Sequence, residues 1–470
     1  MDKLTGNRLL WMALLLLVTL CSSLLLSHGM FMDGVIYAVI GKQVAFDPQA
    51  SWWNLTLSPQ WDTEFREHPP LAMWLLAICY KILGDHDYVE KLYSLGTGIV
   101  TALLLVRCWK MTITSKAPHT AGWPVLFWVT IPTIGWAYNN NILENTMGIF
   151  TLLSVIAQIR FAQTSRWWHI FLAAIWLLLA FLCKGPFALF PLATLMVYWL
   201  CVTNISFGKA FKASVLQLLV WTGLFVLLLQ YPPAHDFFLG YWNKQVVESF
   251  EKEVTVTNRF QIVINLAIEL LPAIGICLIV AAVRRFRSLQ ENSFRNYAYK
   301  YGFFFLLVAL SASLPIMISK KQSTFYAMGS MPFFAMSLAC FFLPMLQELS
   351  VQLAKPMRKV LLMLIILLAG TSLTLMVTGA GKARRDTAMV TDIIATCQQV
   401  PRGSTIAVCS HVNEQYNIRA YMLRYGSLHM TNHEPAQKQF YFSDGCGELD
   451  SIFTKKAPLP EPSYQLSIKP

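Results

Sequence analysis

Long apolar runs recur along this chain from Leu9 to Val377, and no other feature limits its folding as strongly. In hydrocarbon every backbone N–H and C=O must be satisfied internally, so runs of this kind fold as helices crossing or lying in a bilayer. Only 13% of the 470 residues are charged, about half the share of a soluble protein. Disorder, a small disulfide scaffold and a single soluble domain are thereby excluded. The net charge of +12 is read as a record of topology and anionic lipid. No basic cluster interleaves with aromatic residues, so no nucleic-acid partner is expected.

The run Leu9–Leu26 follows Lys3 and Arg8. It is long for a signal-peptide core and lacks a small-x-small cleavage site, so it reads as a first transmembrane helix with the amino terminus inside. The next run, Leu71–Leu83, has thirteen residues and rises only about 20 Å of the roughly 30 Å hydrocarbon core. Reading it as non-spanning puts later helices at approximately 92–107, 121–138, 146–162, 167–183, 186–203, 213–231, 261–283, 301–318, 323–343 and 359–378. Arg107, Lys110, Arg160, Arg166, Lys209, Lys212, Arg284, Arg285 and Arg287 then share a side with Lys3 and Arg8, as the positive-inside rule requires. If Leu71–Leu83 crossed, they would all change sides. About eleven transmembrane helices result.

The opposite, outer side collects Asp33, Asp47, Asp62, Glu64, Glu67, Asp85, Asp87, Glu90 and Glu144. Beyond Val377 no spanning run occurs. Short β-like stretches (Ser404–Cys409, Gln439–Phe442) and an amphipathic segment around Asn413–Arg424 point to a small α/β domain. The expected architecture is an all-α polytopic membrane protein with juxtamembrane helices. Residues 1–380 form its transmembrane domain, with a first outer loop at about 27–91, and 381–470 form an exoplasmic α/β domain. Pro458, Pro460 and Pro462 suggest an extended terminus. Cys397, Cys409 and Cys446 fall in that outer domain, where one disulfide could form, and spacing does not choose the pair. The absence of CxxC and HExxH argues against a structural zinc site, and no glycine-rich phosphate loop is present.

Three groups of residues could carry chemistry. Met32-Asp33-Gly-Val-Ile-Tyr37 sets a carboxylate beyond the first helix, with Tyr37 one turn later on the same face. Trp52, Trp53 and Trp61 precede Phe65-Arg66-Glu67-His68-Pro69-Pro70-Leu71. Tyr138-Asn139-Asn140-Asn141-Ile-Leu-Glu144-Asn145 lies at a membrane boundary, where four amides and a carboxylate are costly unless solvated or used. Cys183-Lys184-Gly185-Pro186 and Ser319-Lys320-Lys321-Gln322-Ser323-Thr324-Phe325-Tyr326 put cations on the outer side, against the charge rule. Taken singly, Asp33 reads as a helix cap, the tryptophans as interfacial anchors, Glu144 as a cap in a polar turn, and Lys320 as a snorkelling side chain. The loop Tyr231–Gln261, with Pro232, Pro233, Tyr241 and Trp242, could hold an interfacial helix over the site.

Together these groups resemble the polyprenyl-phosphate-dependent glycosyltransferases of the GT-C class, which includes the protein O-mannosyltransferases and the ArnT-type lipid A aminoarabinose transferases. The likeness covers roughly residues 8–340 and includes a non-spanning His-Pro-Pro-Leu segment. It implies a hexosyl or pentosyl transferase acting with inversion in a bacterial inner membrane, its site on the periplasmic side. The donor is then a sugar on a polyprenyl (undecaprenyl) phosphate. The acceptor is lipid A or lipopolysaccharide, another glycoconjugate, or protein. Asp33 and Glu144 are the implied catalytic carboxylates; Tyr37, Glu67 and His68 position acceptor and sugar; Lys184, Lys320, Lys321 and Tyr326 bind the donor phosphate. Glu144 stands where the family usually has Asp, and Gly34 where it often has a second acid. No cofactor is indicated: His28, His68 and His235 lack ligand spacing, and a divalent metal is left open. A secondary transporter or lipid flippase is the alternative, although carboxylates clustered at one surface suit it less than midplane charges would. A binding or assembly protein would leave the polar helix ends unexplained.

Overall fold

The structure is a computed structural model describing residues 3–48, 50–58, 64–113, 117, 120–247, 255–284, 292–319, 321–352, 357–446, 449, 451–461 and 463–469. Leucine-rich α1 (Lys3–Ser22) leads through a turn to α2 (Met32–Phe46). Pro69 and Pro70 then direct the chain into α3 (Leu71–Leu83), which ends at Gly84 with φ +84°. This helix buries Ala72, Met73, Leu76, Ala77 and Tyr80 on one face. It packs against α2 where Gly41 lets the Leu76 side chain approach. At thirteen residues it is too short to cross, as the charge pattern requires.

α4 (Val89–Thr112) is followed by two short helices, α5 (Gly122–Val129) and α6 (Pro132–Asn139). The sequence suggests one crossing over 121–138; Pro132 has no N–H to continue the ladder and instead opens a new helix at N1. α7 (Leu143–Thr164) and α8 (Trp168–Lys184) come next. α8 stops at Gly185, whose φ of +68° breaks the helix, and a 3₁₀ stretch, Gly185–Ala193, carries Pro186 and Pro191 into α9 (Thr194–Val202). α10 (Phe207–Leu229) and α11 (Pro232–Tyr241) run into a π-helical turn, Trp242–Val247. The remaining membrane part is α12 (Gln261–Arg284), α13 (Asn292–Ser313), 3₁₀ turns at Leu314–Ile318 and Thr324–Ser330, α14 (Met331–Phe341), α15 (Leu343–Gln352) and α16 (Met357–Gly379).

Among the described residues, eight helical stretches are long and apolar enough to cross a membrane, rather than the eleven runs read from sequence. The difference has local causes. Leu9–Ser22 is shorter, residues 122–139 are divided by Pro132, and 168–202 forms one apolar stretch interrupted at Gly185. Exposed Leu219 and Leu227 on α10, and Met363, Ile366 and Leu367 on α16, present apolar faces of the kind that a bilayer covers.

The carboxy-terminal part carries α17 (Thr387–Gln399), the one-turn α18 (Ser410–Asn413), α19 (Tyr416–Gly426) and a five-stranded sheet. β1 (Thr405–Val408) pairs in parallel with β2 (His429–Thr431) and β3 (Phe440–Ser443). β5 (Gln465–Ile468) runs antiparallel to β3 and to β4 (Lys455–Ala457), giving the order β2-β1-β3-β5-β4. The last residues are therefore paired in the sheet rather than simply extended. Pro458 and Pro460 lie in the β4–β5 connection, and Pro462 is outside the described residues.

One apolar cluster joins this part to the helices, uniting Met30, Val35 and Ile40 with Ile418, Met422 and Leu423. Tyr421 Oη donates to Met30 O at 2.7 Å, and Gly29 N donates to Tyr425 Oη at 2.8 Å. The fully buried Arg424 donates to Glu90 Oε2 at 2.8 Å and to Asp85 Oδ1 at 3.1 Å. Asp85 in turn meets Lys42 Nζ at 2.9 Å.

Candidate active site

The first turn of α2 holds Asp33 beside a loop made rigid by amides. Asn140 Oδ1 accepts from Phe31 N, the residue at the cap position of α2; Asp33 lies inside the first turn and is not the cap. Asn141, with φ +49°, donates through Nδ2 to Gly34 O at 3.2 Å. Asn139 Nδ2 donates to Leu20 O and Gly135 O, and Asn145 Nδ2 to Ser94 Oγ and Ala137 O, both at 3.0 Å. The four amides thus tie α1, α2, α4 and α6 together. A Cβ on Gly34 would overlap the carbonyl oxygen of Asn140. No second acid fits after Asp33, because the 139–141 loop occupies its place.

Glu144 opens α7, and Lys184 ends α8. Lys184 Nζ lies 3.0 Å from Glu144 Oε1, with side chains 5% and 2% exposed. Beyond this ion pair, neither carboxylate oxygen has a hydrogen-bond partner among the described residues. Lys184 also sits over the Tyr326 ring, 5.5 Å from its centroid. Gly185 is needed next to it for two reasons: its positive φ, and the Tyr241 hydroxyl, which a Cβ there would overlap.

Lys184, Tyr241 and Tyr326 border a cavity of about 490 Å³. Its walls are apolar, from Pro186, Phe187 and Phe190 on one side and Pro315, Ile316 and Ile318 on another. Its polar lining includes His68, Lys184, Tyr241, Gln245, Ser319, Lys321 and Tyr326. Lys321 is placed by its neighbour Gln322, a buried side chain whose role the sequence does not reveal. Gln322 Oε1 accepts from Ile262 N at 2.9 Å, and its Nε2 donates to Arg259 O and Ser319 O, both at 2.9 Å. Lys320 lies outside the described residues.

Tyr37 is buried, its ring edge-on to His68 with centroids 5.8 Å apart. Burial keeps its phenol protonated well above the usual range, reinforced by Asp33, Glu144 and Glu67. Burial also pushes the Asp33 carboxyl up, while Lys184 and Lys321 pull it back. His68 is held well below the ordinary imidazole range by burial and by the same two lysines. It is therefore neutral near pH 7, leaving the cationic work to Lys184 and Lys321.

Glu67 is more peripheral, half-exposed and 4.0 Å from Lys244 Nζ in the π-helical turn. That turn and α11 cover the site as the proline pair at 232–233 suggests, supplying Tyr241 and Gln245 to the cavity. Arg66 joins this cover through the Glu64 carboxylate and the Asp236 carbonyl. Trp52 and Trp53 pack edge-on against Trp74, and Trp53 also against Phe237 and Phe238, so they brace α3 and α11. Trp61 lies outside the described residues. Lys244 and Gln245 had no motif to mark them, and Tyr241 and Gln322 stood in marked segments without a role of their own.

A sequence family described as dolichyl-phosphate-mannose-protein mannosyltransferase matches residues 67–231. This range contains His68, Glu144 and Lys184. No curated protein matches the chain. Among solved structures it is similar to ArnT from Cupriavidus metallidurans bound to undecaprenyl phosphate, with a TM-score of 0.68 at 15% identity over 98% of both chains. The apo state of that protein gives a TM-score of 0.64 at 15% identity over 96% of each. The match over residues 67–231 and the shared fold make the chain similar to membrane glycosyltransferases. Among these the chain is similar to the GT-C group that holds ArnT and the protein mannosyltransferases.

Proposed function

We propose that the protein moves a hexosyl or pentosyl group from a polyprenyl phosphate of the undecaprenyl type to an acceptor on the outer leaflet of a bacterial inner membrane. The acceptor class is lipid A or lipopolysaccharide, another glycoconjugate, or protein. In this reading the chain crosses the bilayer about eleven times. Residues 1–380 form the transferase domain and 381–470 a domain on the periplasmic side.

The observation that carries the reading is the cavity between Pro186–Phe190 and Pro315–Ile318. Its apolar wall suits a prenyl chain, and its polar end offers two lysines and Tyr326 where a phosphate would lie. Breaking the glycosyl–phosphate bond builds negative charge on the departing phosphate. Lys184 and Lys321 stabilise that charge as preorganised cations, with Lys320 as a further candidate. Glu144 holds Lys184 and acts as the second carboxylate of the site. Asp33, its carboxyl pushed up by burial, accepts the proton of an acceptor hydroxyl as it attacks the anomeric carbon with inversion. For a phosphate acceptor no base is needed, and Asp33 positions the sugar. Tyr37, Glu67 and His68 shape the sugar and acceptor side.

The test is mass spectrometry of the lipid and glycoprotein fractions from a deletion strain restored with wild type or Asp33→Asn at matched expression. Loss of a sugar-sized mass on deletion, restored only by wild type, is expected. Restoration by both would remove Asp33 from catalysis, and no change in any fraction would sink the transferase reading.

A further inference from the structure

The carboxyl ends of β1 and β3, adjacent parallel strands, bring two thiols and a carboxylate to one point. Cys409 follows β1, while Asp444 and Cys446 follow β3. One Asp444 carboxylate oxygen and the two Sγ atoms all lie within 4.8 Å of one another. Asp444 Oδ1 accepts from Cys409 Sγ at 3.5 Å, and Asp444 Oδ2 is 2.9 Å from His411 Nδ1 in the short α18. The Tyr441 hydroxyl lies 3.0 Å from Cys446 Sγ. The carboxyl edge of parallel strands is where open α/β sheets gather ligands. Sequence spacing argues against zinc because these residues form no CxxC; strand pairing supplies the proximity instead.

We infer that Cys409, Cys446 and Asp444 form a binding site for a thiophilic divalent cation of the zinc type, with His411 as the residue that orients Asp444 or supplies the fourth ligand. The donor set of two sulfurs, one oxygen and one imidazole nitrogen is that of a tetrahedral zinc site. Ligand sulfurs in such a site stand about 3.7 Å apart, so the observed cluster needs only a small contraction. Binding converts both thiols to thiolates and releases two protons to solvent, which makes the affinity fall as pH is lowered. A bound ion would clamp β1 to β3 in a sheet whose strands are only three or four residues long. The inference does not depend on the transferase reading.

The test uses the full chain in detergent, reduced and freed of metal, then titrated with Zn²⁺ or Co²⁺ alone. One ion per chain is expected, with thiolate-to-cobalt charge-transfer absorption. Cys409→Ser or Cys446→Ser should abolish that absorption, Asp444→Asn or His411→Ala should weaken binding about 10- to 100-fold, and Cys397→Ser should leave it unchanged. A second measurement needs no variant: Zn²⁺ should protect the exposed Cys446, but not Cys397, from alkylation in the wild-type chain. No uptake by the reduced protein would overturn the site, as would uptake that survives both serine substitutions. A Cys409–Cys446 disulfide in protein isolated without reductant would overturn it equally.

Discussion

Lys184 and Glu144 form a 3.0 Å ion pair with both side chains buried, and Glu144 has no other hydrogen-bond partner among the described residues. Two charges in such a place are costly unless each answers the other. Glu144→Gln should therefore leave Lys184 uncompensated and destabilise the fold by about 3–5 kcal/mol. The double substitution Glu144→Gln with Lys184→Met should recover most of that loss in a thermal melt. It should not recover sugar transfer, because the cation facing the cavity is gone. Recovery of both would reduce the pair to a packing device.

Asp33 gives a prediction of opposite sign for stability and activity. Its folded carboxyl is raised by burial, against the pull of Lys184 and Lys321. The folded chain then binds a proton more readily than the unfolded one, so ionised Asp33 opposes folding at pH values above its raised pKa. Asp33→Asn should raise the melting temperature at pH 7 while lowering kcat about 100- to 10,000-fold if Asp33 is the base. Transfer by the wild type should rise with pH on a limb above the ordinary carboxylate value of about 3.9, and Asp33→Glu should displace that limb. A melting temperature that falls on substitution would contradict the assigned burial cost.

How far the sequence reached is clear from these residues. Asp33, Tyr37, His68, Lys184, Lys321 and Tyr326 were visible because charges and ring hydroxyls stand out against apolar runs. Of these, His68, Lys184, Lys321 and Tyr326 line one cavity where helix ends meet, whereas Asp33 and Tyr37 lie outside its lining, and Tyr37 reaches it only through the His68 ring. The three asparagines at 139–141 looked like chemistry, but they prove to be ties between helices. Gln322 and Tyr241 stood in segments the sequence marked, but their own roles were not legible, because neither type is unusual at a membrane boundary and only packing gives them a role. The buried Arg424 was hidden for a related reason: its partners Glu90 and Asp85 belong to a segment more than three hundred positions earlier.

Gly34 should tolerate no side chain. A Cβ would overlap Asn140 O, and the 139–141 loop is held by hydrogen bonds to α2 itself. Gly34→Ala should cost about 1–3 kcal/mol through overpacking and should depress transfer by displacing Asp33 relative to Glu144. Gly34→Asp, which installs the second acid, should do more damage and gain no activity. A Gly34→Ala protein with wild-type melting temperature and turnover would show that the loop yields freely.

The Arg424 cluster predicts how the carboxy-terminal sheet stays docked. Arg424 is fully buried between Glu90 and Asp85, and Lys42 and Arg402 also reach Asp85. Burial alone would raise the Asp85 carboxyl, yet Lys42, Arg424 and Arg402 hold it below the ordinary range. A depressed carboxylate contributes stability above its unfolded pKa of about 3.9 and loses it as pH falls through the lower folded value. Docking should therefore persist through mild acid and fail only below about pH 4. Arg424→Met leaves Glu90 buried without its cation and should cost about 3–5 kcal/mol, whereas Arg424→Met with Glu90→Gln should cost less. Limited proteolysis reads this directly: the Arg424→Met protein should be cut near Lys382–Arg385 faster than wild type, and the double variant should fall between them. Equal cutting rates in all three would mean that the Tyr421 and Tyr425 contacts with Met30 and Gly29 hold the docked position without the ion cluster.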